Sequence, residues 1–311
     1  MSTPDDSREV PVPRLPRPAA PAALLALVLV LLTGACGGEE EQEDRFAAQR
    51  TRLEQQARVL GIPEGFPGPH DTGVPLGAVL QPSGPLTITE DGRVVENLDV
   101  DGCVSVKADD VVLRNVRIRC GHQQRAIVIE GSDRNLLVED SEIDGLGSTE
   151  IAVGWSGYTL RGVEVHDVVD GPRLGSGVTV EDSWIHDMVR VGDLHSDALQ
   201  SNGGTGIVVR GNTLVPTDTG TGDVLNAAVQ LGAENDSGQL SDVLIEGNYL
   251  DGGNYSVNVR DDEGVSGIVL RGNVFGDGAR YGPVLAPQDA VQVADDNTGK
   301  RSEATVRVVE P

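Results

Sequence analysis

The residues best suited to chemistry in this 311-residue chain cluster between positions 166 and 200. Asp193, His195 and Asp197 lie within VRVGDLHSDALQ (189–200), and the pairs His166-Asp167 and His186-Asp187 precede them. An imidazole beside a carboxylate can serve as general acid or base, with Asp197 orienting His195. Paired carboxylates hydrolyse glycosidic bonds, and Asp193 with Asp197 is the natural pair here. His166 and His186 with a carboxylate could instead hold a metal. For those two histidines a bland role, capping a turn at a strand end, is the stronger expectation, with His186 kept as a sugar contact. Calcium is the one cofactor the side chains suggest, through Asp193, Asp197, Glu234 or Asp236, although no dedicated loop is visible.

A second set could bind without reacting. Gln200, Gln230 and Asn258 recur in DALQS (197–201), AAVQL (227–231) and YSVNV (255–259). Strand alternation sends Leu199, Val229 and Val257 inward and the three amides outward. Amides both donate and accept hydrogen bonds, which suits sugar hydroxyls, and Arg260 could join them. A merely solvated polar face is an equal alternative.

Such a stripe requires stacked strands, and the sequence supplies them. VVENLDV (94–100), VLRNVRI (112–118), LVEDSEI (137–143), TLRGVEV (159–165), TVEDSWI (179–185), VVRGNTL (208–214), LIEGNYL (244–250) and VLRGNVF (269–275) share one pattern. Their last residues are spaced by 18, 25, 22, 20, 29, 36 and 25 positions. Such periods signify stacked repeats, and the β-forming residues exclude helical solenoids. The charged position reads Glu96, Arg114, Glu139, Arg161, Glu181, Arg210, Glu246, Arg271, alternating without a break. In a parallel stack these side chains lie about 4.8 Å apart, so alternation gives each one opposite-charge neighbours. Asn212, Asn248 and Asn273 form a second, partial column able to satisfy buried backbone groups. The two longest intervals flank the amide stripe, and loops of that length are commonly functional.

Composition agrees. Aromatic residues are 3% and glycines number 40, so the core must be aliphatic and the turns tight. A net charge of −25 argues against nucleic acid and anionic lipid as partners. Arg14 and Arg17, an apolar run and Thr33-Gly34-Ala35-Cys36 read as an export signal. The cysteine resembles the lipid-accepting residue of a bacterial lipobox. Residues 37–60 read as a charged tether ending in a short helix.

From about Gly61 to Asn297 the chain resembles secreted right-handed parallel β-helix proteins of actinobacteria in the pectin-lyase-like superfamily. The residues that carry the likeness are TGVPLGAVLQPSGPLTI (72–88), the repeat motifs, LHSDALQSNGG (194–204) and ARYGPVL (279–285). The resemblance implies an all-β, single right-handed parallel β-helix over 72–297; the residues before it read as a signal at 1–35 and a lipidated tether at 36–71, and 298–311 as a tail. The leading functional expectation is an extracytoplasmic protein acting on polysaccharide, as lyase or glycoside hydrolase, with His195 and Asp197, placed by the long loop, as the catalytic pair. A non-catalytic glycan-binding or structural lipoprotein, monomeric in either case, is the alternative. Asp261-Asp262 is similar to the paired aspartates of polygalacturonases, yet no Gly-His-Gly follows. Cys103 and Cys120 fall at matching places on successive coils, within disulfide reach, and Cys36 is used elsewhere.

Overall fold

The computed structural model describes residues 36–131, 135–234 and 238–311, without the side chains of 36–45 and 302–305. The expected signal at 1–35, the side chain of Cys36 and Asp236 lie outside the described residues. The chain divides into two compact units between Asp44 and Arg45, and every described strand belongs to the second.

The body is all-β, and its strands pair almost entirely in parallel, an arrangement compatible with a parallel β-helix. Each repeat contributes to three columns. One runs through Tyr158–Arg161, Thr179–Glu181, the end of Gly204–Arg210, Leu240–Glu246 and Ile268–Arg271. The next contains Glu164–Asp170, Trp184–Ile185, Thr213–Leu214, Tyr249–Leu250 and Val274–Phe275. The third is a separate sheet of Asp197–Ser201, Ala227–Leu231, Tyr255–Val259, Gly282–Leu285 and Val308–Val309. These are the second, third and first strands of the repeat.

All eight members of the expected charge column stand in register, from Glu96 opposite Arg114 to Glu246 opposite Arg271. Arg114 Nε lies 2.6 Å from Glu139, and Glu181 receives Arg161 and Arg210, each at 2.6 Å. One residue earlier, Leu113, Val138, Leu160, Val180, Val209, Ile245 and Leu270 form the facing inward column, all fully buried. They belong to one aliphatic core running from Ile88 to Val306.

The asparagine column is longer than its sequence suggests. Asn212, Asn248, Asn273 and Asn297 pass amide hydrogen bonds down the stack at 2.9 Å, and each Nδ2 also donates to a backbone carbonyl. Ser183 and Ser141 do part of this work above them, their hydroxyls accepting from Val163 N and Val116 N. Cys103 and Cys120 form the expected disulfide, with Cα atoms 4.9 Å apart.

Three boundaries differ from expectation. The short helix is a 24-residue one, Cys36–Val59, consistent with a proline-free run of good helix formers. Gly61, at φ 74°, turns the chain out of it. The segment after Gly61 is no free tether, because the aromatic side chains of the third-strand column need a cover. Phe66 packs on Tyr249 with ring centroids 5.8 Å apart, and Gly73 N donates to Gly162 O at 2.9 Å. Lys300 Nζ meets Gly61 O and Tyr249 Oη. Tyr249 is consequently buried. The expected tail is also part of the sheets: Thr298–Gly299 pairs with Val274–Phe275, and Val308–Val309 with Val284–Leu285.

Candidate functional site

The first-strand sheet is the face on which unusual side chains converge. Gln200, Gln230 and Asn258 stand opposite one another on three successive strands, as the alternation requires. The column continues in a direction the sequence did not reveal. Arg173 bridges in parallel to Gln200 and donates its N–H to Val153 O, which sets it beside Gly154. Gly154, Arg173, Gln200, Gln230 and Asn258 thus form one column of about 19 Å, at about 4.8 Å per step.

Gln230 is less available than an exposed stripe would make it. It is buried at 7% exposure, and its Oε1 accepts from Asn226 Nδ2 at 3.3 Å. Asn226 also donates to Asp197 Oδ1 at 2.7 Å. Asp197 is fully buried, with its other carboxylate oxygen lacking a hydrogen-bond partner. Its backbone N–H donates to Asp170 Oδ1 at 3.0 Å, and Asp170 Oδ2 takes Arg173 NH2 at 2.7 Å. Burial, then the neighbouring Asp170 charge, push the Asp197 carboxyl well above the carboxylate range. Burial raises Asp170 too, against the pull of Arg173. Two carboxyls on adjacent repeats are thus both held above the ordinary carboxylate range, linked through the Asp197 backbone N–H.

The pairing of His195 with Asp197 is not made. His195 is exposed and forms no hydrogen bond or ion pair with a described residue, while Asp197 faces Asn226 and Asp170. The physical reason is the strand start at Asp197, which commits that residue to the sheet while the loop carries His195 into solvent. Asp193 is exposed on the same loop, so Asp193 and Asp197 do not form an equivalent carboxylate pair.

His186 lies away from the amide stripe, at the end of the third-strand column. It is stacked on Trp184 at 3.4 Å, and its nitrogens meet Asp187 at 2.8 Å and Glu164 at 3.1 Å. His166, stacked 5.5 Å away, holds Asp167 at 2.7 Å and Glu142 at 3.5 Å. Burial disfavours its imidazolium, but the hydrogen bonds to Glu142 and Asp167 outweigh this and push the pKa up to about 9. Asp144, His166 and Asp167 could bring ligand atoms within 4.8 Å of one another. Both imidazole nitrogens of His166 are thus engaged by carboxylates, which favours its charged form.

Arg260 is held by Glu234 at 2.9 Å and Asp262 at 3.0 Å. The other expected calcium ligands are dispersed, because Asp193 is exposed, Asp197 is buried and Glu234 is spent on Arg260.

Asp170, Arg173, Asn226 and Trp155 were not singled out from sequence. Trp155 is 42% exposed, with the guanidinium carbons of Arg125 and Arg173 at 5.1 Å and 5.5 Å from its ring centre. The available signal was Gly171-Pro172-Arg173, which occupies a first-strand position but reads as a turn because proline has no N–H to give a ladder. No known family, no curated protein and no solved structure matches this chain.

Proposed function

We propose that the strands wind as a single right-handed parallel β-helix whose first-strand face holds an extended polysaccharide. The observation that carries this is the column Arg173, Gln200, Gln230, Asn258 beside Gly154, in which Gln200 and Asn258 are part-exposed, ending beside a half-exposed Trp155. A regular row of donors and acceptors beside an aromatic face suits a polymer of sugar rings, whose hydroxyls need both and whose apolar faces stack on indole. The two long loops, around 189–196 and 216–226, border the same face. On this reading the chain is exported, anchored by lipid on Cys36, and works as a monomer without nucleic acid. Cys36→Ala should then move the protein from the membrane fraction to the medium, and unchanged fractionation would remove the anchor from the proposal.

The test of the site is a panel of neutral and acidic glycans, with binding followed by calorimetry and turnover by reducing ends and by absorbance of unsaturated uronates. Trp155→Ala should weaken the best ligand at least tenfold, about 1.4 kcal/mol. No binding to any glycan, or binding indifferent to this substitution, would defeat the proposal.

A second reading, glycoside hydrolysis, is favoured by the raised Asp170–Asp197 pair, since perturbed carboxyls concentrate at catalytic sites. Asp170 is the partner able to reach substrate, because Asp197 is sealed. Product formation that disappears in Asp170→Asn while binding persists would establish it. Binding without product in the native protein would leave a recognition module.

A further inference from the structure

We propose that Arg125, Trp155 and Arg173 form a subsite for an anionic sugar substituent, a carboxylate or a sulfate, at one end of the polar column. The inference rests on the polysaccharide reading above and adds the charge of the ligand.

Most arginines on these strands are saturated by carboxylates, as in the Arg114, Arg161 and Arg210 ladder. Arg125 is different. Among the described residues no carboxylate lies within ion-pair distance of it, and its buried Nε has no hydrogen-bond partner. In a chain of net charge −25 an arginine left without a carboxylate runs against the bulk composition. Arg173 is 9% exposed and spends NH2 on Asp170, yet its Nε and NH1 also lack partners. A guanidinium carries five N–H donors, and leaving buried ones unmade costs stability. Unmet donors of this kind are expected where a ligand completes them.

The geometry brings these donors to one place. Gly154 stands opposite Val128 and beside Arg173, and a side chain there would fall 3.5 Å from Arg125 Cδ and Nε and 3.7 Å from Arg173 Cγ. The missing side chain leaves both arginine stems flanking Trp155. A sugar ring lying on the exposed indole would set an equatorial acid group against Arg125, over the positive charge of Arg173. Guanidinium suits this role, because its planar fork matches carboxylate and sulfate geometry. The rest of the ligand would run along Gln200 and Asn258, over the buried Gln230.

The test compares binding of polygalacturonate, dextran sulfate and unmodified dextran to the full ectodomain. Arg125→Gln is the principal variant, and Arg173→Lys the second because Arg173 is buried; thermal melts check that each folds. At least one of the anionic polymers should bind at least tenfold tighter than dextran, and Arg125→Gln should remove most of that advantage. The preference should also shrink as salt is raised. A gain confined to polygalacturonate identifies a carboxylate site, and one confined to dextran sulfate a sulfate site. Equal binding of all three polymers, untouched by either variant, overturns the subsite and leaves the polar column standing. No binding of any polymer, across the wider panel as well, overturns both.

Discussion

Asn248→Ala should lower the unfolding free energy by about 4 kcal/mol, far more than loss of a charged residue on the same strand. Asn248 is fully buried and makes four side-chain hydrogen bonds of 2.9 Å. Its Oδ1 accepts from the backbone N–H and the amide of Asn212, and its Nδ2 donates to Val209 O and Asn273 Oδ1. Truncation leaves partners on both neighbouring repeats without a bond, in an interior water does not reach. Each orphaned group costs about 1–3 kcal/mol, and relaxation recovers part of the sum. Glu246, two residues earlier, faces Arg271 at 2.8 Å across a half-exposed surface, so Glu246→Gln should cost less than about 1 kcal/mol. Urea unfolding of the two variants is the measurement. A loss below about 1 kcal/mol for Asn248→Ala would mean that the column does not hold the repeats together.

Removing the disulfide should cost about 3 kcal/mol, and its effect should be felt first in the opening repeats. Cys103 and Cys120 are 17 residues apart, and closing a loop of that size restricts the unfolded chain by about this amount. The bridge ties the residue before Val104–Val106 to the residue after Val112–Arg119, near the end of the stack where neighbours are fewest. The native protein should lose stability on reduction, while the Cys103→Ala/Cys120→Ala variant should begin at the lower value and ignore the reductant. Alkylation of both thiols in the non-reduced native protein would show that the bridge does not form. Hydrogen exchange should locate the loss in residues 81–130, and uniform loosening along the stack would contradict the end-pinning account.

The repeating part of the protein was legible because each repeat meets the same neighbours above and below it. Under that condition a column read from an alignment of segments becomes a row of contacting side chains. The charge ladder from Glu96 to Arg271, the inward valines and leucines, and the outward Gln200, Gln230 and Asn258 all follow from one spacing. The Cys103–Cys120 bridge follows from the same stacking. Asn297 escaped notice because Ala294-Asp295-Asp296-Asn297 does not carry the apolar pattern of the other repeats, although its side chain ends the asparagine column.

The candidate site was legible only in part, since it is built where the repeat is broken. Sequence by itself determined the stacked parallel strands, the face that carries the amides and the loops bordering it. Tertiary structure alone decided which charged groups share that face. Proline at 172 hides a strand position, and only the fold sets Arg173 against Gln200 and beneath Trp155. His195 and Asp197 are two residues apart in the chain, but one ends a solvated loop and the other begins a buried strand. Burial is a property of everything packed around a residue, so no local spacing could show that Asp197 would be sealed against Asp170 and Asn226.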